Sequence, residues 1–241
     1  MKDNLKSNNQ LPKGDLSGWN NREYIEELIK RYSQHNDPDY ANWSKNYMRN
    51  QFEFLGIRTP IRKKLTKQFL MEFGVPSKEN LPVVIFTLWE QPEREYQKAA
   101  LDILEKVKKT LTPEDMPWLS SLIVNKSWWD TVDVLSPNIM GHMFNSFPEL
   151  IAQYADQWMM DENFWLQRAA ILFQLKYKNR TDESRLYRYI LSRADSEEFF
   201  VQKAIGWVLR EYAKTNPTSV KVFVISNKLK PLSKREALKN L

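Results

Sequence analysis

The chain has 241 residues, a formal net charge of +6 and a pI near 9.3, which allows a sizeable core and suits a polyanionic partner, nucleic acid first. It has no cysteine and only two histidines, His35 and His142, neither in a metal-ligand spacing, so disulfides and thiolate-bound metals are excluded and no metal or other cofactor is expected. No apolar run approaches the roughly 20 residues that span a bilayer, and MKDNLKSNNQ is not a signal peptide, so a cytoplasmic protein with no membrane partner is expected. Residues 1–18 are polar without an apolar period and read as a disordered tail, followed by a single domain over 19–241. Tyr24, Ile25, Leu28, Ile29 and Tyr32 mark a first amphipathic helix. Prolines at 60, 76, 82, 92, 113, 117, 137, 148, 217 and 231 then divide the chain into segments of helix length. The stretch VKVFVIS at 220–226 comes nearest to strand alternation, yet helix is expected there too. With only six glycines, the class is all-α.

Self-comparison reveals a repeat. YQKAALDIL (96–104), LQRAAILFQ (166–174) and VQKAIGWVL (201–209) share a Gln-basic-Ala core, with glutamines at 97, 167 and 202. Those spacings are two periods and one period of 35 residues, and one period after Gln97 falls on Val132. Units of this length built from helix pairs predict an α-solenoid of HEAT-like repeats, since the Trp/Gly/Tyr pattern of a TPR unit is missing. LSKREALKN (232–240) resembles the start of one more unit. Equivalent helices would present one face each to a common concave surface.

The segment NKSWWDTVDVLS (125–136) carries two adjacent tryptophans. Ser127 and Asp130 fit an S-x-x-D capping box with Ser127 as N-cap, and Trp128, Val132, Leu135 and Ile139 form the apolar stripe, with Pro137 disturbing its last turn. Trp129 is turned off that stripe and lies one turn before Asp133. This helix alone leaves two readings, a Trp packed on a neighbouring helix beside a solvated Asp, or a site. In the helix at 199–214, Val201, Ile205, Val208 and Tyr212 are expected to be buried. Trp207 lies opposite them with Lys203, Arg210 and Lys214, an aromatic-and-base face suited to phosphate and sugar, and Gly206 leaves room for a ligand to approach. In the helix at 164–178, Gln167, Gln174 and Lys178 are read as the solvated stripe. Arg168 is rotated toward Trp165 and Leu172, and a guanidinium on an apolar face wants an anion, either Asp133 of the preceding repeat or a DNA phosphate.

The segments NYMRNQFEFLGIRTP (46–60), WEQPEREYQKAALDIL (89–104), VNKSWWDTVD (124–133), WLQRAAILFQLKYK (165–178), QKAIGWVLREYAKTNP (202–217) and LSKREA (232–237) resemble, in order and in register, the AlkD-type DNA alkylation repair glycosylases. The resemblance covers roughly residues 22–241, and the family's usual C-terminal end lies a little beyond. It implies a bacterial enzyme with a right-handed solenoid and a concave basic groove, acting at the nucleoid, a monomer that excises cationic N3- and N7-alkylated purines from double-stranded DNA. It places the catalytic carboxylate on Asp133, the site tryptophans on Trp129 and Trp207, DNA-contacting arginines on Arg168 and Arg210, and a tyrosine near the DNA backbone on Tyr47. Lys203 and Lys214 join the DNA-binding set as bases on the Trp207 face. An alkylated purine cation is already a good leaving group, so a carboxylate that stabilises the developing sugar cation suffices and no general acid is needed. Strand cleavage is not expected, because no lysine is singled out as the amine nucleophile it requires, Lys203 being the one to check. A non-catalytic DNA-binding scaffold and a peptide-binding solenoid are the alternatives. A DNA-binding scaffold has no need for a carboxylate in the middle of a basic, DNA-facing surface, where it repels phosphates, so Asp133 beside Trp129 is the feature that discriminates.

Overall fold

Helix α1 (Asn21–Ser33) begins where the Asn20 side chain accepts from the Glu23 N–H and the Glu23 carboxylate accepts from the Asn20 N–H. This reciprocal cap satisfies two donors that have no partner inside the helix. The computed structural model describes residues 20–239, and the tail expected at 1–18 lies outside them. The chain continues through α2 (Pro38–Tyr47), α3 (Thr59–Phe73), α4 (Leu81–Glu90), α5 (Arg94–Val107), α6 (Met116–Val124), α7 (Trp129–Val134), α8 (Gly141–Ser146), α9 (Asp156–Trp158), α10 (Phe164–Leu172), α11 (Glu183–Ser192), α12 (Phe199–Ala213), α13 (Pro217–Ser226) and α14 (Pro231–Ala237). Among the described residues the architecture is all-helical, and VKVFVIS lies inside α13. Pro38, Pro60, Pro82, Pro117, Pro217 and Pro231 each occupy the first or second helical position, where a missing N–H costs nothing. The prolines therefore mark where helices start.

The chain divides at Lys106/Val107 into two compact units. In the first, Tyr24, Ile25, Leu28 and Tyr32 of α1 are buried, and Tyr24 meets Phe69 of α3 edge-on at 4.7 Å. The loop before α3 is fixed by Glu95, whose carboxylate accepts from the backbone N–H groups of Leu55, Gly56 and Ile57 at 3.1, 2.9 and 3.1 Å. Charge-assisted bonds of this kind are roughly twice as strong as neutral ones, so the loop behind α2 is held firmly.

The repeat has a physical cause. Gln97, Gln167 and Gln202 each donate Nε2–H to the carbonyl six residues earlier, Gln91 at 2.8 Å, Asp161 at 2.7 Å and Ser196 at 3.0 Å. Each glutamine thus ties the preceding connection to the first turn of its own helix, where an unpaired carbonyl would be costly to bury. The alanines two residues on, Ala99, Ala169 and Ala204, are fully buried. This corrects the expected solvated stripe, because Gln167 and Gln174 are both buried, the latter bonded at both ends of its amide to the Asp182 backbone. The apolar face of α10 is wider than its periodicity indicates, since the helix is packed on more than one side.

In the second unit, hydrogen bonds between consecutive repeats recur at about one period. Ser136 Oγ donates to Ala169 O over 33 residues and Ser233 Oγ to Gln202 O over 31. Helix α10 packs on α7 and α12, and α12 packs on α14. The last contact explains Gly206. A Cβ there would collide with the Glu236 side chain and stand 3.0 Å from Ser233 O, so the missing side chain admits α14 and not the ligand expected from sequence. Gly206→Ala is predicted to cost about 1–3 kcal/mol by overpacking this contact, measured as a lower midpoint in urea unfolding at an unchanged slope.

Candidate functional site

Helix α7 is short and set by its surroundings. Ser127 does not cap it: the Ser127 hydroxyl donates to Ile123 O at 2.7 Å, closing the end of α6, and the N-cap position belongs to Trp128 with no side-chain bond. The expected Ser127–Asp130 capping box is thereby corrected, since an equally local acceptor four residues back takes the hydroxyl first. Trp129 opens the first turn, half-buried, and Asp133 lies one turn further on. Past Val134 the helix widens into a π turn over Leu135–Met140, at the proline expected to disturb it. Pro137 has no N–H to give the regular ladder, and the wider turn accommodates that. Val132, Leu135 and Ile139 are buried as the stripe predicts, whereas Trp128 is half-buried, its ring edge-on to Phe200 at 5.2 Å and tilted on Trp165 at 5.9 Å.

Asp133 meets Arg168 of α10 through two parallel bonds, Nε to Oδ1 at 2.8 Å and Nη2 to Oδ2 at 2.9 Å. Of the two anions that sequence offered to Arg168, the structure places Asp133 against it. The arginine side chain is 5% exposed and the aspartate 18%. A third bond runs from Arg168 Nη1 to the Phe200 carbonyl, and the guanidinium carbon lies 5.9 Å from the Phe200 ring. Arg168 is thus clamped between α7 and the start of α12. Burial pushes the Asp133 carboxyl above its ordinary value, opposed by the charge and hydrogen bonds of Arg168 and reinforced by nearby Asp130. A carboxylate kept largely from water yet anchored by a bidentate cation has a fixed orientation and a strong local field. Among the described residues no group of three or more His, Asp or Glu is placed to hold a metal ion, and no helix is long and apolar enough to cross a membrane.

The family model for DNA alkylation repair enzymes matches residues 28–241. The chain belongs to that family. Its structure is similar to the solved structure of a predicted DNA alkylation repair enzyme from Enterococcus faecalis, with 35% identity and a TM-score of 0.80 over 86% of this chain and 97% of that one. Two more distant structures share the fold. They are AlkD2 from Streptococcus mutans, at 16% identity and TM-score 0.64 over 92% and 99% of the two chains, and smu.31 from Streptococcus mutans UA159, at 14% and 0.60 over 90% and 99%. The comparison with curated proteins gives no match.

In this alkylation-repair chain the second cluster of candidate residues lies on α12. Trp207 is half-buried. Lys203 Nζ lies 3.1 Å from Glu236 Oε1, and Arg210 Nη1 donates to Glu236 Oε2 at 2.7 Å. Hydrogen bonds from Lys203, and then from Arg210, hold the Glu236 carboxyl below the ordinary range. Both bases read from sequence as facing DNA therefore also fasten α14 to α12. Lys214 is exposed and pairs with Glu211 at 2.6 Å. Tyr212, expected in the buried stripe, is half-buried because its hydroxyl reaches the Glu183 carboxylate at 2.9 Å. Tyr47 belongs to the first unit, where it is 59% exposed and stacks on Trp43. Two participants were missed by sequence reasoning. Phe200 acts partly through a backbone carbonyl, which leaves no mark in a sequence. Glu236 did leave one: it stands one repeat after Lys203, a spacing at which the repeat brings residues together.

Proposed function

We propose that this DNA alkylation repair enzyme is a monofunctional glycosylase that removes cationic N3- and N7-alkylated purines from duplex DNA, acting as a monomer in the cytoplasm. The observation that carries the reading is Asp133, a carboxylate mostly withdrawn from water and held by both oxygens on buried Arg168. In an alkylated purine nucleotide the base already bears positive charge. Breaking the C1′–N bond sends the bonding pair to the base, which leaves neutral, and positive charge moves to the sugar. An ionised Asp133 near C1′ stabilises that charge electrostatically, and the low local dielectric strengthens the effect. Water then adds to C1′ and loses a proton, which Asp133 accepts, giving an abasic site and the free base.

Each neighbouring group follows from this requirement. Arg168 keeps the buried carboxyl ionised and aligned, a positioning role. Trp129, one turn before Asp133, and Trp207 supply aromatic faces for the cationic nucleotide and its sugar. Lys203, Arg210, Lys214 and Tyr47 serve the phosphate backbone, giving sequence-independent affinity that falls with salt. Neutral lesions lack the activated leaving group and are poor substrates on this mechanism.

The direct test is release of 7-methylguanine from methylated duplex, with abasic product and no β-elimination. A stable Schiff-base adduct trapped with borohydride would refute the monofunctional assignment. The pH dependence is a second check. Excision needs ionised Asp133, and burial raises its pKa, so single-turnover rates should fall with acid along a limb lying above the roughly 3.9 of an unperturbed aspartate. The stability sign is the reverse. A raised folded pKa means that the folded state holds the proton more tightly. This group's stabilising contribution is present below the unfolded pKa and is lost as pH rises through the folded one. An acid limb at or below the ordinary aspartate value would contradict the assignment of the buried Asp133.

A further inference from the structure

On the exposed side of α2, three rings form a column. Tyr40 and Trp43 have centroids 5.3 Å apart with planes at 11°, and Trp43 and Tyr47 are 5.2 Å apart at 8°. The Arg58 guanidinium lies 4.5 Å from the Tyr40 ring and extends the column at that end. Trp43 is 55% exposed and Tyr47 59%, so large apolar rings stand in water where a helix of this kind usually places polar groups. Trp43 has a ring neighbour on each face, and Tyr40 has Trp43 and Arg58. What the column offers a partner is ring edges, which carry the positive side of the aromatic quadrupole. Among the described residues neither the Trp43 indole N–H nor the Tyr40 hydroxyl has a hydrogen-bond partner, so each remains available to an acceptor.

The end of α2 adds a second observation. Asn50 N–H bonds Lys45 O at 2.8 Å and Arg49 N–H bonds Asn46 O at 3.0 Å, the paired closure that normally places glycine at the left-handed position. Arg49 stands there instead, at φ 56°, followed by Asn50 at 57°. Its exposed guanidinium makes no ion pair among the described residues. A β-carbon in this conformation is unfavourable, so a long cation stands where glycine would fit better. The two carboxylates at the opposite end have local duties: Asp37 caps α2 through the Tyr40 N–H at 3.0 Å, and Asp39 lies in the first turn, where a negative charge suits the helix dipole.

We propose that this face of α2, with Tyr40 and Trp43 beside Tyr47 and with Arg58 and Arg49 toward its two ends, is a track for the sugar–phosphate backbone of DNA. It rests on the DNA-repair reading and extends it to residues that take no part in the chemistry. Positive ring edges, free N–H and O–H donors and unpaired guanidinium groups match phosphate oxygens and deoxyribose, and they read no base identity. The track therefore contributes affinity without sequence preference.

The test uses the full chain and undamaged duplex of two unrelated sequences, so that excision plays no part. Trp43→Ala should weaken binding about tenfold and equally for both sequences, and Arg58→Gln should lower the slope of log affinity against log salt by about one. Arg49→Gly should weaken binding while raising the unfolding midpoint, opposite changes that a merely structural residue would not give. Hydrogen exchange of the unsubstituted protein should show residues 38–50 protected on adding duplex, which keeps the test valid if a variant folds poorly. Absence of that protection, or wild-type affinity in a folded Trp43→Ala, would overturn the track. So would a change in the association state of the free protein on Trp43→Ala, which would make this face a self-association surface. None of these outcomes depends on whether Asp133→Asn abolishes excision, so the two readings fail separately.

Discussion

Asp133→Asn is expected to reduce single-turnover release of 7-methylguanine from methylated duplex by about a hundred- to a thousandfold while leaving duplex affinity unchanged or raised. The loss follows from removing a preorganised charge aimed at the developing sugar cation, a contribution of that order where single electrostatic groups are deleted from active sites. The unchanged affinity follows because a carboxylate repels phosphates, so neutralising it removes a repulsion. Asparagine keeps the shape and can accept from Arg168 at one oxygen, which preserves the link between α7 and α10. A non-catalytic scaffold predicts no such loss, because it releases no base in either form. If the variant excised at the wild-type rate, Asp133 would not be the catalytic group, whatever its geometry. Partial activity that rises with pH would point to another titrating carboxyl.

Much of this arrangement is legible in the chain because its causes are periodic or electrostatic. The recurring glutamine is visible at 97, 167 and 202, and its reason is a side-chain bond to the carbonyl six residues earlier. A requirement met by the same local geometry in each unit leaves the same letter in each unit. Arg168 is legible for a different reason, since a guanidinium on an apolar helix face must have an anion, and Asp133 is one period away. The failures lie where two local solutions have similar energy. Ser127 could cap the helix ahead or back-bond to Ile123 behind it, and nothing in S-x-x-D distinguishes those hydroxyl bonds. Gly206 misled because a missing side chain records that something comes close without recording what. In this fold it is Glu236 of α14, whose carboxylate also holds Lys203 and Arg210.

Arg168→Met is expected to have the largest effect on both stability and activity. It leaves the Asp133 carboxylate buried without its cation, and breaking one side of a buried pair costs on the order of 3–5 kcal/mol, roughly 10 °C in unfolding midpoint for a chain of this size. The carboxyl has a cheaper outcome than remaining charged, which is to bind a proton. Burial already raises its pKa against the opposition of Arg168, so removing that opposition raises it further. Excision should then be lost at neutral pH and return in part as pH rises, its acid limb displaced upward from that of the wild type. The stability deficit should run the other way. It should be smallest in acid, where Asp133 is neutral in both proteins, and should grow as pH rises through the displaced pKa. Arg168→Lys keeps a charge but loses the two-pronged bond and the link to the Phe200 carbonyl, so it should restore part of the pH position while recovering less of the rate. A residue that merely filled space would lower stability at every pH and leave the acid limb where it was. Opposite trends of rate and stability with pH are therefore the signature of Arg168 acting through Asp133.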